Sequence, residues 1–258
     1  VEQRSTSVFS GAAMSRAPAT LLAGNVAVSL GPDGAPMATL THPAGGSCQV
    51  SLPGVRVTTW KGADGVERLA PGPDGGLLPH GLEGIIASTD WTIESLVGGG
   101  GDCDSLAFSA FAEARAADGV PVRSRAEVRL WAGRLALSLE VAHAGGEEME
   151  WEEEEDPAGV ADERRAKRSR ILPLPLPDVG LQGNLCCNEA GSVGAVGGYQ
   201  DGTKDAFDKT GVRLETMGFS VVKSASSGSV MQFKTLAPTQ IALQPGETVS
   251  GSFQLTLC

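Results

Sequence analysis

Histidine is scarce in this chain: three in 258 residues, His42, His80 and His143, with none after position 143. The second half therefore contains no imidazole to act as general acid or base. Paired cysteines are missing as well. Cys48, Cys103, Cys186, Cys187 and Cys258 make an odd set of five with no Cys-x-x-Cys spacing. That pattern argues against a zinc ligand set and for reduced thiols in a reducing compartment. Basic residues are outnumbered, 20 Lys and Arg against 31 Asp and Glu, for a net charge of −11. A surface of that sign does not neutralise nucleic-acid phosphates, and it favours docking onto basic partners. No apolar run approaches the roughly 20 residues that a helical membrane span requires. No motif for a metal or an organic cofactor is present, so none is expected.

What the chain does have is glycine, proline and short β-prone runs. Its 35 glycines and 15 prolines call for many turns, and 41% hydrophobic residues suffice for a core. Strand patterns recur at Asn25–Leu30, Met37–Thr41, Ser47–Leu52, Arg56–Trp60, Asp90–Val97, Leu106–Ala114, Val122–Trp131 and Arg134–Ala144. Further runs follow at Val212–Thr216, Phe219–Lys223, Val230–Leu236, Thr239–Leu243 and Ser250–Leu257. Leu135, Leu137, Leu139 and Val141 alternate with smaller or polar residues, which puts them on one buried face. Ala132-Gly133 between two such runs reads as a tight hairpin turn. The expectation is an all-β fold, a large antiparallel β-sandwich, in one domain over residues 21–258.

Two segments break the pattern. Val1–Thr20, rich in Ser and Ala with Arg4, Arg16 and the single acid Glu2, reads as an N-terminal extension. It is either an organelle transit segment or its remnant, or an ordinary frayed start. A charged insertion spans 145–177. There the acidic run Glu147–Asp156 and the basic run Arg164–Arg170 could pair around a short helix at Ala161–Lys167. Such a loop is either solvated or a docking element for another subunit, and Trp151 within it is the interface candidate. Ile171–Pro177, where prolines alternate with leucines, belongs at a sheet edge or in an extended connector.

Three stretches, in order, resemble the aldose 1-epimerase family of galactose-mutarotase-like β-sandwiches. Gly54-Val55-Arg56-Val57-Thr58-Thr59-Trp60-Lys61, followed by Asp64-Gly65-Val66-Glu67-Arg68-Leu69, looks like that family's early hairpin. Val55, Val57 and Thr59 would be its buried side. Val193–Asp201 resembles a segment of the hexose-phosphate epimerase branch. Ile241–Thr248 with Gly251-Ser252-Phe253 looks like the closing Pro-Gly-Glu turn and last strand.

The resemblance implies a site as well as a fold. Family members open the sugar ring with a carboxylate base and an imidazolium acid. The histidine stands in a mid-chain His-x-Tyr-Phe strand, and the glutamate lies shortly before the final turn. This chain has no His-x-Tyr-Phe, and the stretch expected to carry the glutamate reads Val230-Met231-Gln232-Phe233-Lys234-Thr235-Leu236. No catalytic residue can be assigned. The chain thus looks like the non-catalytic mutarotase-like subunits of larger assemblies, of the type found in the chloroplast NADH dehydrogenase-like complex. That type implies other protein subunits as partners, on the stromal side of the thylakoid membrane. The alternatives are a hexose or hexose-6-phosphate 1-epimerase with a divergent site, or a carbohydrate-binding module.

Other residues have two readings each. His80, followed by Gly81, is a sugar-binding residue by resemblance to a His-Gly loop, or a solvent-facing loop histidine. His42 and His143 read as structural. Gly98–Gly101 before Asp102-Cys103-Asp104 is a ligand-approaching loop or a flexible hairpin. Cys186-Cys187 is a redox pair or two inert thiols. Asp201, Asp205 and Asp208 lack the glycine and glutamate placement of a calcium loop. Trp60, Trp91 and Trp131 are core residues or sugar-stacking rings.

Overall fold

The computed structural model describes residues 21–71, 75–82, 91–98, 104–116, 119–146, 173–176, 179–186, 210–222, 226–227, 230–237 and 241–258. Its strands run from two to ten residues, and glycine-bearing turns join many of them. In chain order they begin with β1 (Leu21–Ala23), β2 (Val26–Leu30), β3 (Pro36–Thr41), β4 (Ser47–Ser51), β5 (Arg56–Lys61) and β6 (Gly76–His80). Next come β7 (Thr92–Val97), β8 (Leu106–Arg115), β9 (Pro121–Leu130), β10 (Arg134–His143), β11 (Leu174–Leu176) and β12 (Gly180–Cys186). The last are β13 (Val212–Met217), β14 (Ser220–Val222), β15 (Ser226–Ser227), β16 (Val230–Leu236), β17 (Ile241–Leu243) and β18 (Thr248–Leu257).

These strands form a ten-stranded sheet, a six-stranded sheet and a two-stranded ladder, and every pairing is antiparallel. The larger sheet runs β1-β2-β3-β4-β5-β6-β12-β16-β14, with β15 also on β16. The smaller runs β13-β18-β10-β9-β8-β7. Their inner faces share one core, because alternate residues on each strand point inward. Phe233 of the larger sheet meets Phe253 of the smaller edge to face, with ring centroids 5.2 Å apart. The antiparallel sandwich expected from the periodicity is the architecture found.

Glycine makes room for those rings. A Cβ on Gly183 would lie 2.2 Å from a Phe233 ring carbon, and one on Gly251 would lie 2.3 Å from the Phe219 ring. Both glycines face inward, so their missing side chains are filled by aromatic volume.

Several expectations need correcting. In β5 the buried side chains are Val57 and Trp60, with Thr59 only half-buried. The cause is a β-bulge: Gln49 pairs with Thr59 but Val50 pairs with Val57, so Thr58 is extra and the alternation shifts by one. β6 and β12 were not expected as strands. Pro79 and three glycines (Gly76, Gly180, Gly183) mask their pattern, although both lie inside the sheet. The Ala132-Gly133 hairpin is present, closed by Trp131 N–H donating to Arg134 O at 2.8 Å. β11 pairs with β17 alone, the marginal position expected of its prolines.

Candidate functional site

β12 lies between β6 and β16 in the larger sheet. Leu181 and Leu185 point into the core, so Gln182 and Asn184 project from the opposite, outer face. The register sets Gln182 beside Leu78 and Lys234, Asn184 beside Gln232, and Gly180 between His80 and Leu236. Side chains directly opposite in an antiparallel pair lie within about 5.5 Å at Cβ. The outer side of these three neighbouring strands therefore gathers His80, Gln182, Asn184, Gln232 and Lys234, of which His80 and Asn184 are buried. β16 is the stretch in which the resemblance expects a glutamate, and its outward residues are Val230, Gln232, Lys234 and Leu236, whose polar groups are one amide and one ammonium.

Of that set, the imidazole of His80 is the group whose chemistry allows it both to accept and to release a proton. Carboxamides neither accept nor release protons at neutral pH, and an ammonium donates without accepting. β6, β12 and β16 carry no aspartate or glutamate.

His80 departs from the expected solvent-facing loop. It ends β6, is only 6% exposed, and its Nε2 lies 3.3 Å from Thr235 O. Gly180 stands directly across from it, and with no side chain there the imidazole can reach the next strand. Thr235 in turn donates its hydroxyl to Leu181 O at 3.2 Å. The imidazole thus stitches β6 to β16 over the glycine of β12.

The other two histidines are structural, as expected. His42 accepts from Ala44 N–H at Nδ1 and reaches Asp104 O from Nε2 at 3.3 Å. His143 is buried and accepts from Gly145 N–H at Nδ1, 3.1 Å away. Its backbone also pairs with Gly246 and Glu247, which anchors the closing turn to the end of β10. In that turn the Glu247 carboxylate accepts from Gln244 N–H at 2.7 Å.

One structural carboxylate was not singled out in the sequence. Glu67 Oε1 accepts from Trp60 N–H at 2.8 Å, Leu69 N–H at 3.0 Å and Arg68 N–H at 3.1 Å. It ties the return chain to β5, next to the Asp64-Gly65 turn in which Val66 N–H donates to Asp64 Oδ1. Its position just past an Asp-Gly turn was the available signal.

The three described cysteines are free. Cys48 lies in the core, where burial pushes its thiol pKa far up, so it is held as the neutral thiol. Cys186 Sγ donates to Leu69 O at 3.2 Å. Trp60 and Trp91 are buried, as the core reading expected. Trp131 is half-buried at the hairpin with the Arg134 guanidinium 5.0 Å from its ring centroid. Trp151, Gly99–Gly101, Cys103, Cys187, the three aspartates and Val193–Asp201 lie outside the described residues. Among the described residues no three His, Cys, Asp or Glu side chains cluster to hold a metal ion, and no helix is long and apolar enough to cross a membrane.

Fold and site together define an all-β antiparallel sandwich whose larger sheet carries an amide-rich outer face. Neither a protein-family model nor a curated protein matches the sequence. Solved structures do resemble the chain. One is a protein assigned as an aldose 1-epimerase from Escherichia coli K12, at 15% identity and a TM-score of 0.48, covering 85% of this chain and 98% of that one. Another is a galactose mutarotase related enzyme from Lactobacillus acidophilus, at 9% identity and a TM-score of 0.43, covering 94% and 97%. Neither likeness places a residue or an activity on this chain.

Proposed function

We propose that the chain is a mutarotase-like β-sandwich that no longer performs mutarotation and serves as a structural subunit of a larger organellar complex. The observation that carries this reading is the outer face of β6, β12 and β16. Its side chains include His80, Gln182, Asn184, Gln232 and Lys234, with no carboxylate on β16, where the resemblance expects the base. The complex favoured is the chloroplast NADH dehydrogenase-like assembly on the stromal side of the thylakoid, with protein subunits as partners and Trp151 as an anchor. The resemblance supports that placement. The test is co-migration. Antibody against the chain should recover other subunits of a membrane-associated complex from solubilised native membranes, and recovery of the chain alone would overturn the proposal.

The same face supports a second reading. Carboxamides both donate and accept, which suits sugar hydroxyls, so a hexose could be bound at Gln182 and Gln232, with His80 at the margin, and released unchanged. Calorimetric titration with glucose should then show saturable heat that Gln182→Ala removes.

A further inference from the structure

The opposite side of the sandwich, the outer face of the six-stranded sheet, contains a groove of about 300 Å³. Register explains its shape. One cross-strand row runs Met217, Ser252, Ser138 and Glu127, and the next runs Ser250, Glu140 and Arg125. Three serines give a shallow hydroxyl floor in the centre of the sheet, while longer side chains stand around it.

Charge at the groove is not balanced by its own pairs. Arg125 is bound to Glu94, whose hydrogen bond is the main cause of its raised pKa, with Glu127 and Glu140 adding to it. Arg129 is bound to Glu127 at 2.6 Å. No salt bridge reaches Glu140 among the described residues, and its side chain is exposed. Two strands away in the same groove, Met217 at the end of β13 is 74% exposed, the most exposed of the large apolar side chains described. A thioether is an adaptable contact for the aliphatic stem of a long basic side chain.

We infer that this groove docks an extended segment of a partner protein bearing arginine or lysine, with the cation at Glu140, the stem against Met217 and hydrogen bonds to the serine floor. An anionic ligand fits poorly, since the one arginine is already engaged and two carboxylates line the walls. A sugar ring finds no aromatic surface among the lining residues. The chain's net charge of −11 draws the same class of partner.

The test uses the full chain with methyl-labelled methionine and a synthetic peptide, acetyl-Gly-Arg-Gly-Arg-Gly-amide. The Met217 methyl resonance, assigned with Met217→Leu, should shift saturably as peptide is added. Glu140→Gln should weaken the apparent affinity by about three- to fivefold, the scale of one exposed ion pair. Ser252→Lys, which puts a cation in the groove, should abolish the shift in a chain with unchanged circular dichroism. Neutralising two acids in turns of the larger sheet, Asp33→Asn with Asp64→Asn, should change the affinity by less than about twofold. The inference is overturned if the Met217 signal does not move at saturating peptide. Equal weakening by the distant pair, or the same shift produced by glucose or inorganic phosphate, also overturns it.

Discussion

Glu67 shows how much one side chain does when its oxygen faces three backbone donors. Arg68 N–H also donates to Trp60 O at 2.8 Å, so removing the carboxylate would leave the Trp60 and Leu69 N–H groups of a partly buried hairpin without it, at a cost of about 1–3 kcal/mol. Glu67→Ala should therefore lower the denaturant midpoint at an unchanged slope. Glu113→Ala offers the contrast, since its carboxylate is 59% exposed and pairs with Arg123 at the surface. That change should stay within about 0.5 kcal/mol. Cysteine reactivity is set by position in the same way. Alkylation of the native chain near pH 8 should modify exposed Cys258 readily and spare Cys48 until denaturant is added, because burial holds Cys48 as the unreactive thiol. Rapid labelling of Cys48 in the native state would contradict its placement in the core.

At the level of strands, alternation was readable wherever a run kept strict period two, as in β9, β10 and β18. Two causes hid the rest. In β5 the extra residue Thr58 reverses which side chains face inward, and no local pattern announces a bulge. In β6 and β12, glycine and proline read as turn signals, yet each glycine is required by a neighbour. Gly183 is the sharpest case, with Phe233 and Leu77 occupying the volume of its absent Cβ. Gly183→Ala should cost about 1–3 kcal/mol through overpacking, while Gly133→Ala, with open space around it, should be close to neutral. The candidate site was legible only in part for the same reason. The missing glutamate could be read from β16 alone, but Gln182 and Asn184 come into view only once β12 is seen as a strand beside it. His80 was misplaced because a His-Gly dipeptide looks like a loop, whereas the strand continues to the histidine.

Taken as a whole, the molecule has two outer faces of different chemistry on one shared core. The larger sheet presents a histidine, amides and a lysine, with no carboxylate on β16, where the resemblance expects the base. The smaller presents serines and paired charges around a groove. Two such faces are what the proposed subunit role would use. The measurement that bears most directly on the central claim is α-to-β interconversion of glucose and glucose 6-phosphate, followed by NMR with the purified chain. The account predicts the spontaneous rate, unchanged by added protein. Turnover in the ordinary enzymatic range of about 1–10³ s⁻¹, abolished by mutating a residue of the chain, would contradict it.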